Sequence, residues 1–172
     1  RAAIAALAQR HLAQGGEIVD LVPDYVRWKD VDGSLVGYRA AVRTSDRIVD
    51  SYVTVRTAAP HRLAAEAERL QHRADEEWAG LEGLALVPEH GLLLVGFPLD
   101  RAMHDLRRLV RPSKVRSLVQ STCPDVIPLG MRLSKSRSSF HLVRYKPERR
   151  AVLRWHVGCI ATVGKVQTHT TL

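Results

Sequence analysis

The chain has 172 residues, 45% of them apolar, and 26 Lys/Arg against 18 Asp/Glu give a formal net charge of +8. That length can bury a core and suggests one or two small domains, while no apolar run approaches the length of a membrane span. Cys123 and Cys159 have no paired spacing, which argues against a disulfide framework and for a reduced, cytoplasmic protein.

Residues 2–14 read as an Ala/Leu-rich surface helix closed by Gly15-Gly16, rather than a signal peptide. Three strands follow at about 17–29, 34–43 and 48–57, with turns at Asp32-Gly33 and Thr44-Ser45-Asp46. Pro60 opens a helix over about 60–80. Its apolar stripe runs Leu63, Ala67, Leu70, Ala74, Trp78 and Leu81, and its opposite face carries Arg62, Glu66, Arg69, Arg73 and Glu76. Leu84–Val87 and Leu92–Phe97 read as a hairpin across Pro88-Glu89-His90-Gly91. Residues 101–121 read as helical with a break at Pro112. Ser121-Thr122-Cys123-Pro124 is the linker candidate, and strands at about 137–146, 151–158 and 160–168 complete the chain. The fold class expected is α+β, an antiparallel sheet with packed helices. The start at Arg1 and the stop at Leu172 suggest a piece of something longer.

The chain also repeats itself. Tyr25-Val26-Arg27-Trp28-Lys29, a turn and Leu35-Val36-Gly37-Tyr38 return 117 positions later. The second version is Leu142-Val143-Arg144-Tyr145-Lys146, a turn and Val152-Leu153-Arg154-Trp155. A third run ends alike in both, as Val55-Arg56-Thr57 and Val166-Gln167-Thr168. So ordered a match indicates a duplicated strand–turn–strand–strand unit. At the equivalent position of the third strand the first copy has Thr54 and the second Lys165. The domains expected are a first module over 1–122 and the opening of a second over 123–172.

Three antiparallel strands, a long helix, a hairpin and a proline-bearing connection follow the order of the amino-terminal lobe of protein-kinase-like folds. Leu142 to Arg150, followed by Val152-Leu153-Arg154-Trp155, resembles the first hairpin of bacterial aminoglycoside-phosphotransferase and choline-kinase-like enzymes. The resemblance implies an ATP- and Mg2+-dependent phosphotransferase acting on a small-molecule hydroxyl. Lys165, in Val163-Gly164-Lys165-Val166, would then hold the nucleotide's phosphates, with Arg149 and Arg150 meeting phosphate at the first turn. Partners implied are the nucleotide, the acceptor and a carboxyl-terminal lobe, with no membrane. The catalytic His-x-Asp and the metal-binding Asp motifs of that family are absent, so this chain by itself holds no catalytic residue and no metal ligand.

Other residues read more plainly. Glu66 and Glu68 could imitate the helix glutamate that pairs with a strand lysine in that family. Because Thr54 stands on their own sheet, surface pairs of Glu66 with Arg62, Arg69 or Arg73 are expected instead. The histidines and cysteines lack zinc-ligand spacing. The alternative function is a non-catalytic basic module, because residues 101–172 hold 15 Lys/Arg and 3 Asp/Glu. Such a region suits nucleic acid or an acidic protein partner. Against nucleic acid, strand alternation sets Arg144 and Lys146 opposite Tyr145, and Arg27 and Lys29 opposite Trp28, which puts the aromatics in the core.

Overall fold

The structure, a computed structural model, describes residues 2–13, 15–29, 33–74, 80–129 and 131–161. It is α+β and divides into two compact units, residues 1–107 with 144–151, and residues 108–143 with those from 152 onward. Helices are α1 (Ala2–His11), α2 (Pro60–Gln71), α3 (Leu106–Leu109) and α4 (Pro112–Thr122). Strands are β1 (Glu17–Lys29), β2 (Gly33–Arg43), β3 (Ile48–Thr57), β4 (Leu84–Val87), β5 (Leu92–Gly96), β6 (Met131–Lys146) and β7 (Arg150–Ala161). No helix among the described residues is long and apolar enough to cross a membrane.

The first unit is built on a five-stranded sheet in the order β1-β2-β3-β5-β4, antiparallel throughout. Pro23, which cannot donate to a ladder, sits on the edge strand β1 where the register shifts between Pro23 and Tyr25. Alternation along β5 assigns the two faces. Leu92 and Leu94 join a core with α1, while Leu93 and Val95 join a core with α2. On the α1 side Ala8 and Leu12 are fully buried against Leu21, Ala40, Val42 and Val53. On the α2 side Leu63 and Leu70 meet Leu93, Val95 and Leu99.

One boundary and one packing side differ from the sequence reading here. α2 stops at Gln71, where the Arg73 and Ala74 amides bond back three residues to Leu70 and Gln71 and tighten the last turn. Leu81 then falls in the α1-side core, not in the stripe with Leu63 and Leu70. Its spacing matched the stripe by coincidence, because the chain has by then passed to the other face. Trp78 lies outside the described residues.

The second unit holds α4 and the body of the β6–β7 pair. Pro112 opens α4, as a residue without an N–H can. Phe140 and Trp155 pack ring on ring with centroids 5.3 Å apart. β6 begins at Met131 rather than near 137, its start hidden in a serine-rich stretch. β7 runs unbroken through Cys159 to Ala161, where a turn was expected. Gly158 lets the pair close up, since a Cβ there would stand 2.3 Å from the Arg137 carbonyl oxygen. A third strand over 162–168, and with it Lys165, lies outside the described residues.

β1 ends at Lys29 and β6 at Lys146, and β2 begins at Gly33 and β7 at Arg150, so these four strand ends keep the 117-residue offset of the sequence match.

Candidate functional site

The polar centre of the first unit lies on the α2 side of the sheet, over the half that α2 leaves open. It starts from Arg56. Pairing with Leu35 and Leu93 places this residue in the middle of the sheet, between β2 and β5. The whole residue is only 5% exposed. A guanidinium does not lose its charge on burial, so it requires carboxylates. Glu66 on α2 supplies one, with its oxygen 3.2 Å from Arg56 Nε, and Glu148 supplies the other through Arg56 Nη1. Glu66 was expected on a solvated helix face. It is 5% exposed instead, drawn in by the strand arginine across from it.

Arg56 Nε and Glu66 Oε1 are close yet out of hydrogen-bond alignment, and among the described residues neither atom has another hydrogen-bond partner. Glu148 evidently holds the better end of the shared guanidinium. Arg101 adds a partly exposed cation, 3.1 Å from Glu148 and 3.8 Å from Glu66, and Arg27 stands 4.0 Å from Glu148. Burial pushes the Glu66 carboxyl above its ordinary range, with Arg56 and Arg101 opposing that shift and Glu148 adding to it.

Asp100 is the second anchor. One of its carboxylate oxygens accepts the Ala102 and Met103 amides at 2.7 and 2.8 Å, a local cap on the chain past Leu99. The other accepts the Tyr145 hydroxyl at 2.7 Å and the Glu148 amide at 2.9 Å. Tyr145 is 1% exposed and sets its ring edge-on to Tyr52 and Phe97, with centroids 5.3 and 5.4 Å away. Burial, reinforced by Asp100, holds its hydroxyl well above the usual phenol range.

The segment carrying Tyr145 and Glu148 is the turn of the second copy. The Arg149 amide bonds the Lys146 carbonyl at 3.0 Å, closing a four-residue turn with Pro147 second and Glu148 third. Glu148 has φ 58, in the left-handed region where glycine is the usual choice. Pro147 lies against Gly37, where a Cβ would come within 3.1 Å of the proline ring, and the Lys146 ammonium stands 5.8 Å over the Tyr25 ring. Arg149 and Arg150, the proposed phosphate ligands, are exposed at this turn. Thr54 is nearly buried on β3, lining the same small cavity as Arg56, Glu66, Asp100, Tyr145 and Glu148.

The residues that hold this centre together were not singled out from the sequence as a group. One signal was available: Gly37 in the first copy corresponds to Arg154 in the second, a missing side chain where the turn docks. The aromatics were both expected in the core. Tyr145 is there, but Trp28, its counterpart in the repeat, is 73% exposed.

Chemically the centre sets three arginines against two carboxylates, Glu66 and Glu148, while Asp100 takes the hydroxyl and the amide of the turn, so that it binds a piece of its own chain. Its arginine is already paired, so it offers a nucleotide no unengaged buried cation. No group of three or more His, Cys, Asp or Glu among the described residues is placed to hold a metal ion, so these residues give Mg2+ no donor set. Compared with known proteins, the chain matches no family model, no curated protein and no solved structure.

Proposed function

We propose that this chain is the amino-terminal part of an ATP-dependent phosphotransferase with a protein-kinase-like fold, acting on a hydroxyl of a small molecule. In this reading the first copy is a degenerate lobe-like module that does no chemistry, and the second copy opens the nucleotide-binding lobe. One observation supports the reading above others. An ion pair, Arg56–Glu66, joins the third strand to the helix that follows it, within a sheet ordered β1-β2-β3-β5-β4. Kinase-like lobes use a strand lysine and a helix glutamate in that relation. Here the strand partner is Arg56, two residues beyond Thr54, which holds the place of Lys165, and the turn at 147–149 lies beside the pair.

Nucleotide binding therefore falls to the second copy, with Lys165, Arg149 and Arg150 as phosphate ligands. ATP would supply the phosphoryl group and Mg2+ would neutralise its charge. The carboxylates for that ion, and the residue orienting the acceptor, would come from chain beyond these residues. Calorimetry with Mg·ATP on the full-length protein tests this. Lys165→Ala removes one charge-assisted contact and costs about 1.5–3 kcal/mol of binding. Thr54→Ala leaves nucleotide affinity unchanged. Equal losses in both variants, or no binding by the wild type, contradict the proposal.

A further inference from the structure

Residues 1–107 hold segment 144–151 at several points. Asp100 takes the Tyr145 hydroxyl and the Glu148 amide, Arg56 and Arg101 take the Glu148 carboxylate, Gly37 makes room for Pro147, and Tyr25 lies under Lys146. The two turn residues left exposed are Arg149 and Arg150. Glu148 is held meanwhile in a left-handed conformation that a non-glycine residue adopts at a cost. Released from Asp100 and Arg56, the turn has every reason to relax.

We infer that Asp100 and Arg56 are positioning residues for a polyphosphate: by locking the Lys146–Arg149 turn, they fix Arg149 and Arg150 in advance for phosphate contact. This rests on the proposed nucleotide role of the second copy. Arginine forks recognise phosphate through directed hydrogen bonds, so their value depends on where the backbone presents them. A ligand meeting a loose turn must also order it, and that cost is subtracted from affinity. The first module thereby acts on nucleotide binding without touching the nucleotide.

Asp100→Asn is the sharpest probe. Its oxygen can still cap Ala102 and Met103, but its amide then faces the Glu148 N–H, donor against donor. Tyr145→Phe is the milder second variant, since it keeps the ring packing and loses one hydrogen bond. In the full-length protein, Mg·ATP titrations of both are run in the wild-type and Arg149→Ala/Arg150→Ala backgrounds, with thermal melts confirming that each variant is folded. Asp100→Asn is expected to weaken Mg·ATP about tenfold, the equivalent of re-ordering roughly one backbone residue. Tyr145→Phe weakens it less. Neither has a further effect once the two arginines are gone, and this loss of additivity is what a merely structural role would not produce.

Three results overturn the inference, and they differ from one another. If Asp100→Asn binds like wild type while removing the arginines weakens binding, the turn is not positioned by the first module, and the proposed function stands. If Asp100→Asn weakens binding equally in both backgrounds, its effect is general damage. If wild type binds no Mg·ATP, the proposed function fails and the inference with it.

Discussion

Trp28 and Tyr145 stand 117 residues apart at matching places in the repeated sequence, each one residue before the end of its strand. One ring is 73% exposed and the other 1%. The local sequences do not account for this, since both are aromatic residues between Arg and a Lys. The difference lies in what faces them. Tyr145 meets two aromatic rings and a carboxylate oxygen already fixed by its own loop, while its neighbour Pro147 finds the bare backbone of Gly37. The repeated sequence carries no sign of this difference; the sheet of the first unit seats the turn between β6 and β7.

Truncating both rings breaks the comparison most sharply. Tyr145→Ala should cost about 3–5 kcal/mol of unfolding free energy, the range for large buried aromatics. Trp28→Ala should stay within about 0.5 kcal/mol, as at exposed positions. Denaturant titrations of the two variants decide it, and comparable losses would show that the two turns are used alike.

Arg56→Ala asks whether charge, as well as packing, holds the seat together. It leaves Glu66 and Glu148 facing each other in a buried site, with only the partly exposed Arg101 and Arg27 to offset them. A loss of about 3–5 kcal/mol follows from stranding buried charge. Substituting Arg43 instead, whose bond to Glu17 is a surface pair, should cost about 0.2–1 kcal/mol. A small loss at Arg56 would mean that water or rearrangement satisfies the two carboxylates.

The pH dependence sharpens the same contrast with smaller effects. Burial raises Glu66, so the folded chain holds that proton more tightly than the unfolded chain does. The stability it contributes is complete below the ordinary glutamate value of about 4.3 and is lost as pH rises from there through the folded value. Tyr145 behaves alike at the other end of the scale. Its raised hydroxyl contributes stability below about pH 10 that is lost above it, as the unfolded phenol ionises first. Unfolding curves of Glu66→Gln and Tyr145→Phe should each lack the corresponding slope. An unchanged slope in either variant would assign the effect to another group.

Much of the first unit was legible in the sequence because its signals are local. Thr44-Ser45-Asp46 mark a turn, Pro60 a helix start and Pro112 a helix break, and each sits where its backbone chemistry requires; Gly33 opens β2 at φ 78. What escaped was decided by neighbours distant in sequence. Leu81 kept helical spacing with Leu70 yet packs on the opposite face, because spacing carries no information once the helix has ended. Glu66 reads as solvated because its partner, Arg56, belongs to another element, and Thr54 stands at the place that a strand lysine would take. The repeat did direct attention to the turn at 147–149. Its exposed arginines suggested phosphate, while the buried half of the same turn, Tyr145 and Glu148, gave no sign that it would dock on the first copy.

The docking of that turn is read most directly at one amide. The Glu148 N–H has a carboxylate oxygen of Asp100 as its acceptor, and nothing in the local turn requires it to be protected. Native-state hydrogen exchange should find this amide slowed to near the rate of the β3 core in the wild-type chain, and released by orders of magnitude in Asp100→Asn while β3 stays protected. Fast exchange of the Glu148 amide in the wild type, or the same slow rate in both proteins, would contradict the docked turn.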